Sequence, residues 1–288
     1  MKEKASAQVK ALLHQSGLKA KKSLGQHFLV DEDVVECILA AAELSYRDVV
    51  VEVGPGLGVL TKRLAEIVSE VIAVELDSRL VSMLRGKLAS FPNAKIIHAD
   101  ILKVAPQQLL EDYLATAELA QNYKVVANLP YYVASPVIHH FLVASLRPSL
   151  MVIMVQKEVG EAIAAAPGRM RLLSVMTQFY SKPTIITYVP AGSFYPSPKV
   201  DSVVLRLDIY PELPGEVSNV ESFFDIVSCG FSAPRKQLRN SLAQALGISG
   251  SQVASLLEKA GIEAKRRAET LSLQEWKELW RVFAPFRR

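Results

Sequence analysis

From about residue 31 to 165 the chain alternates short apolar runs with stretches of helical periodicity, and that rhythm leaves few folds open. The runs Val49-Val50-Val51-Glu52-Val53, Val71-Ile72-Ala73-Val74, Ile96-Ile97, Val125-Val126 and 150–155 are near-continuously apolar, as strands buried on both faces are. Between them Val34, Val35, Ile38, Leu39 and Ala42, with Asp31 as N-cap, recur at the spacing of one helix face. Leu60, Leu64, Ile67 and Val68 do the same, and so do Leu80, Val81, Leu84 and Leu88. Alternation of this kind predicts an α/β fold, a mostly parallel sheet covered by helices on both faces. After Pro167 come a helix over 172–180 and two strand-like runs, 184–189 and 203–207, which suit an antiparallel sheet edge. Pro211-Glu212-Leu213-Pro214-Gly215-Glu216 reads as a linker. Only helical patterns follow it, so the chain divides into residues 1–211 and a small all-helical domain, 212–288.

The first strand runs into Gly54-Pro55-Gly56-Leu57-Gly58, with Glu52 two residues before the first glycine. Glycines there let a ligand approach the backbone at the carboxyl end of the sheet. A dinucleotide fingerprint would need glycine where Val59 stands, which disfavours a Rossmann oxidoreductase. Glu75, nineteen residues after Gly56, ends the second strand and can accept hydrogen bonds from both hydroxyls of a ribose. Asp100, after the third strand, can take a purine amino group. Leu76 and Ile101 adjoin these two carboxylates and belong with the same candidate site. The loop carries no phosphate-binding Lys or Arg, so the set suits an adenosine with an uncharged 5′ substituent, such as S-adenosyl-L-methionine.

Lys124-Val125-Val126-Ala127 leads into Asn128-Leu129-Pro130-Tyr131. By itself this tetrapeptide is equally a turn. At a strand end, however, it groups an amide oxygen, a backbone carbonyl and an aromatic face. An exocyclic amino group on a purine is a poor nucleophile because its lone pair is delocalised. Two acceptors on its N–H bonds favour a pyramidal nitrogen and stabilise the charge that develops as it attacks. Tyr131 can hold the base by stacking.

With that loop added, the chain resembles the class I methyltransferases that act on adenine amino groups. More closely, it is similar to the bacterial small-subunit ribosomal RNA adenine dimethyltransferases. The similarity runs through Lys22-Ser23-Leu24-Gly25-Gln26-His27-Phe28-Leu29, Gln156-Lys157-Glu158-Val159 and Phe194-Tyr195-Pro196-Ser197-Pro198-Lys199-Val200-Asp201-Ser202. It continues in Arg235-Lys236-Gln237-Leu238-Arg239-Asn240-Ser241-Leu242 and Arg267-Ala268-Glu269, so it covers nearly the whole chain. The resemblance implies a Rossmann-like methyltransferase sheet with a small helical C-terminal domain, and dimethylation of two adjacent adenosines near the 3′ end of small-subunit rRNA. It implies that His27, Leu29, Gly54, Glu75, Asp100 and Asn128 contact S-adenosyl-L-methionine and that Phe194 packs on the target base opposite Tyr131. The expected partner is the immature small ribosomal subunit, met by a monomer with no metal. The segment 168–174 lacks the family's aromatic-Gly pair before Leu173-Ser174, and Ser197 interrupts the usual proline run.

Charge is distributed to match. Residues 1–22 carry a net +5, residues 235–288 a net +6 and the middle a net −7, within an overall +4. Basic ends on an acidic body suggest a polyanion gripped by the ends, and Lys21, Lys22, Arg235, Lys236 and Arg239 are the candidate RNA contacts. No apolar run reaches the roughly 18 residues of a membrane span, and the N-terminal segment has no apolar signal core, so the protein is expected in the cytoplasm. Cys37 and Cys229, the only cysteines, are expected to be free, buried thiols. Two rivals stand beside the main reading. A large-subunit rRNA adenine methylase shares the Asn-x-Pro-Tyr logic, but 194–202 and 235–242 argue against it. A ribosome-assembly factor whose binding matters more than its methylation would carry the same basic ends.

Overall fold

A computed structural model describes residues 2–15, 17–21, 24–111, 123–213 and 215–284. The chain forms two compact units, one of residues Met1–Gly160 with Lys182–Ile209 and one of Glu161–Ser181 with Tyr210–Arg288. The division is therefore not a single cut at the 211–216 linker. Residues 161–181 join the helical unit because Phe179 stacks on Phe223, with centroids 4.9 Å apart, and Tyr180 on Phe224 at 5.9 Å.

The first unit is built on seven strands. In chain order these are β2 (Val49–Val53), β3 (Glu70–Glu75), β4 (Ala94–His98), β5 (Lys124–Asn128), β6 (Leu150–Gln156), β7 (Ser181–Val189) and β9 (Ser202–Ile209). A two-stranded ribbon pairs β1 (Phe28–Leu29) with β8 (Phe194–Tyr195). The large sheet runs β4-β3-β2-β5-β6-β9-β7. The first five are parallel and β9 is antiparallel to β6 in register Leu150↔Asp208 to Gln156↔Ser202. All five residues of β2 are buried, as its unbroken apolar run requires, whereas the edge strand β7 alternates. Strand order reverses between β2 and β5, and an open parallel sheet has its binding crevice at such a point.

Among the described residues, six helices belong with these strands: α1 (Lys2–Gln15), α2 (Glu32–Ala42), α3 (Val59–Ala65), α4 (Ser78–Lys87), α5 (Pro106–Leu109) and α6 (Ala134–Leu142). Val34, Val35, Ile38, Leu39 and Ala42 of α2 pack in one cluster with Val50, Val126, Val152 and Met154. Asp31 is the N-cap residue of α2, but its side chain does not cap. It is buried and accepts from Ser193 Oγ at 2.7 Å instead. Cys37 and Cys229 are not joined in a disulfide, and each is half-buried rather than buried.

After α7 (Lys157–Ile163), the second unit contains α8 (Leu172–Tyr180), α9 (Val220–Phe231), α10 (Leu238–Leu246), α11 (Gly250–Lys259) and α12 (Leu273–Phe283). Ser249 and Ser272 cap α11 and α12 through the N–H groups of Gln252 and Glu275. Trp276 of α12 is wholly buried and stacks on Phe231 at 5.4 Å. Gly230 makes room for it, since a Cβ there would lie 2.4 Å from Trp276 Cη2. Gly230→Ala should therefore destabilise this unit by about 1–3 kcal/mol, the usual cost of overpacking. Both tryptophans of the chain, Trp276 and Trp280, lie in α12, so a lower urea midpoint followed by tryptophan fluorescence checks it.

Candidate active site

Gly54, Gly56 and Gly58 have φ of 69°, 58° and 72°, left-handed values that L side chains rarely adopt. The turn thereby folds back on itself, with Gly58 N–H donating to the Pro55 carbonyl at 2.9 Å. Close packing adds a second constraint. A Cβ on Gly54 would sit 3.3 Å from the Pro130 ring, and one on Gly56 would sit 3.1 Å from Phe28. The turn faces a cleft of about 1050 Å³, counting its open mouth, at the carboxyl ends of β2 to β5. Its lining includes His27, Leu29, Glu52, Gly54, Gly56, Glu75, Leu76, Asp100, Ile101, Asn128, Leu129, Pro130 and Tyr131. Residues far apart in sequence are thus brought to one crevice, as expected of a single site.

Each carboxylate of the cleft is held differently. Glu75 accepts from Asp77 N–H at 2.9 Å on one oxygen and from Gly56 N–H at 3.3 Å on the other, which ties the β3 end to the glycine turn. Burial pushes its carboxyl up, against those backbone bonds. Asp100 accepts the Leu102 N–H at 3.1 Å on one oxygen, Oδ1. Glu52 is 2 % exposed, and its Oε2 has no hydrogen-bond partner. Burial pushes the Glu52 carboxyl up to about 8; the nearby Thr61 hydroxyl, outside hydrogen-bonding geometry, opposes the shift and the Glu75 charge adds to it. Leu76 is 44 % exposed, an apolar wall beside Glu75, and Ile101 is buried beside Asp100.

The Asn128 amide is oriented by a residue 101 positions away. Its Nδ2 donates to the His27 carbonyl at 3.3 Å. Since a carbonyl can only accept, Oδ1 must be the atom turned away. His27 is fixed in turn, with Nδ1 2.6 Å from the Pro196 carbonyl and its ring stacked on Tyr131 at 5.5 Å. The Tyr131 hydroxyl pairs with Ser202 Oγ at 2.6 Å, and burial pushes its phenol up, so the ring is neutral at pH 7. The Pro130 carbonyl already accepts the Val133 N–H at 3.1 Å, leaving one lone pair. Leu129 is a buried part of the wall whose N–H donates to the Met154 carbonyl at 3.1 Å.

Some expected residues fall elsewhere. Phe194 pairs with Leu29 across the β1–β8 ribbon, and its ring is 3 % exposed in the cluster formed by α2 and the sheet. It stands behind the cleft wall and does not line it. Lys21 is not an unengaged surface cation, because its Nζ lies 3.1 Å from Asp77 Oδ2. Lys22 lies outside the described residues. Arg235, Lys236 and Arg239 are exposed at the start of α10 in the second unit and have no carboxylate partner among the described residues. Sequence reasoning misses Asp77: it caps α4, pairs with Arg79 and Lys21, and accepts from Gln26 Nε2 at 3.4 Å. Arg79 above all holds its carboxyl well below the usual carboxylate range. Only its place two residues after Glu75 hints at this.

The sheet order, the glycine turn and the carboxylates at successive strand ends define a class I methyltransferase dependent on S-adenosyl-L-methionine. The chain belongs to the ribosomal RNA adenine dimethylase family, whose model matches residues 17–282. It is 47 % identical over 280 residues to a ribosomal RNA small subunit methyltransferase A of Dehalococcoides mccartyi, covering 96 % of this chain and 93 % of that one. It is 41 % identical over 275 residues to the protein of that name from Moorella thermoacetica, covering 94 % and 95 %. Among solved structures, the 23S rRNA methyltransferase ErmE aligns with a TM-score of 0.70 at 27 % identity, over 89 % of this chain and 99 % of that one. A Plasmodium falciparum dimethyladenosine transferase shares the fold with a TM-score of 0.72 at 22 % identity, over 90 % and 98 %.

The residues present fit the cofactor. The turn excludes side chains where a ligand must pass, the cleft offers carboxylate oxygens for hydroxyl and amino groups, and among the described residues no Lys or Arg lines it. Glu52 also gives a stability test. Its folded-state value lies above that of an unfolded glutamate, so the stability it contributes is full below about pH 4.5 and lost as pH rises through about 8. Glu52→Gln removes that dependence. Relative to the parent it should gain roughly 1.4 kcal/mol per pH unit within this window, read by urea unfolding at several pH values.

Proposed function

We propose that this protein dimethylates the N6 amino groups of two adjacent adenosines in a hairpin loop near the 3′ end of small-subunit (16S) rRNA, within immature small subunits in the cytoplasm. One observation carries the chemistry: the Asn128 amide nitrogen is committed to the His27 carbonyl, so its oxygen is presented as an acceptor at the cleft. Support for the small-subunit substrate comes from relatives of that name at 41–47 % identity, well above the 27 % shared with the 23S enzyme.

The target adenine leaves its stack, which costs less in a loop than in a duplex. Tyr131, anchored by Ser202 and backed by His27, offers a ring face to the base. Asn128 Oδ1 and the remaining lone pair of Pro130 accept the two N–H bonds and stabilise charge as the amine attacks. Glu75 would hold the ribose hydroxyls, Asp100 the purine amino group, and Leu76 and Ile101 the faces of the cofactor's ring. When bound, S-adenosyl-L-methionine supplies a methyl already activated by its sulfonium. Positioning therefore supplies most of what the chain must add.

The direct test is labelled methyl transfer to unmethylated small subunits and, in a parallel reaction, to unmethylated 23S rRNA, with mapping of the modified bases. Label in 23S rRNA alone would overturn the substrate. In the same assay Asn128→Ala should lower turnover on saturating substrate on the order of a hundredfold, the scale seen for removing one preorganised polar contact. RNA affinity should hardly change. An undiminished rate would make Asn128 a turn residue only.

RNA binding is assigned to the exposed Arg235, Lys236 and Arg239. Replacing all three with alanine should flatten the dependence of RNA affinity on salt by roughly one unit of slope for each phosphate no longer neutralised. Cofactor binding should stay unchanged. Equal slopes would mean that these charges are merely solvated.

A further inference from the structure

Among the described residues, three carboxyl groups line the cleft and no lysine or arginine does. Two of them are supported. Both oxygens of Glu75 accept backbone N–H bonds, and Asp100 accepts one while remaining half-buried. Glu52 on β2 has neither support: it is 2 % exposed, its Oε2 has no partner, and the Thr61 hydroxyl brought by α3 has none either. Among the described residues, the neighbouring elements bring no compensating charge. From β3 comes Glu75, from the end of β4 Asp100, from the end of β5 the neutral Asn128, and ahead of β1 His27, which is engaged by Pro196. Tyr132, at the cleft mouth, faces Asp100 and Glu75 as a neutral phenol. The ammonium that α4 brings to the glycine turn, Lys87 Nζ, is bonded to the Leu57 carbonyl at 2.6 Å, and burial pushes its pKa down.

A buried carboxyl beside other carboxylates, with no cation, is neutral near pH 7. We propose that Glu52 keeps a proton in the free protein and releases it to water when a ligand of net positive charge enters, so that it distinguishes the sulfonium donor from the neutral thioether left after transfer. The exchange conserves charge in the cleft: one cation enters and one proton leaves. Once the methyl has gone, the sulfonium charge has gone with it, and Glu52 takes a proton back. The product then loses an electrostatic partner that the donor had, which favours its departure. Glu75 is the less suited group, because both its oxygens already accept N–H bonds, which oppose the upward push of burial, and Glu52 has no such bonds. The inference rests on the S-adenosyl-L-methionine reading of the cleft and adds a specificity-determining role for Glu52.

Titration calorimetry at pH 6.5, below the range in which the ligands' own α-amine titrates, tests it in buffers of different ionisation enthalpy. The parent should release close to one proton per S-adenosyl-L-methionine bound and none with S-adenosylhomocysteine. Donor affinity should rise about tenfold per pH unit up to about pH 8 and then level off, as single-proton linkage requires, while product affinity stays flat. Glu52→Gln should abolish both the proton release and the slope, and should still bind the product. The infrared carboxylic-acid band of the parent provides a reading that needs no variant: it should fall on adding the donor and not the product. Equal proton release for the two ligands, an unchanged band, or full release in Glu52→Gln would overturn the inference while leaving the cofactor reading intact. A parent that binds neither ligand would overturn the cofactor reading itself.

Discussion

The contact between Gly54 and the Pro130 ring is the constraint on which the site depends. It brings the turn after β2 against the loop after β5, so the glycine turn and the Asn128–Tyr131 loop share one wall of the cleft. A side chain at residue 54 would have to share space with Pro130, in a backbone region where only glycine is relaxed. Both β2 and β5 lie mid-sheet, β2 buried along its whole length and β5 at its three central residues, which is why their sequences are so apolar.

From there the site extends through backbone bonds more than through side-chain packing. Glu75 links the β3 end to Gly56, His27 links the ribbon β1–β8 to Asn128, and Asp77 fastens the segment around Lys21 and Gln26 to α4. Part of the basic N-terminal charge is thereby consumed inside the protein. Lys21 anchors the segment that carries His27, and the exposed cations at the start of α10 are left as the better candidates for RNA phosphates.

Legibility in the sequence follows the range of the interactions. Strand runs, helix faces and the glycine turn are local patterns, so the sheet and the positions of Glu52, Glu75, Asp100 and Asn128 can be read directly. Asp31 is legible as the start of α2 but not as the buried partner of Ser193, 162 residues away. Phe194 matches the family's motif, yet its burial depends on Leu29 and on α2, which no local pattern reports. Residues 161–181 look like part of the sheet domain because they interrupt its strands. Their attachment to the helical unit depends on Phe179 and Tyr180 finding Phe223 and Phe224.

The two proposed acceptors of the amine are not equivalent, and that asymmetry bears on a reaction that must run twice at one nitrogen. Asn128 Oδ1 is turned away from its anchor, whereas Pro130 already gives one lone pair to Val133. An unmethylated amine has two N–H bonds and can use both acceptors. A monomethylated amine has one, and the more available acceptor, Asn128, suffices for it. The dimethylated amine has none, so it leaves both acceptors to water and keeps only its stacking on Tyr131. A neutral amide suits this sequence better than a carboxylate would. It favours charge developing on the amine at each transfer, yet it binds no proton near pH 7 and so does not change state between the two. The carboxyl that does change state, on this account, is Glu52, one strand away and answering to the cofactor instead of the base.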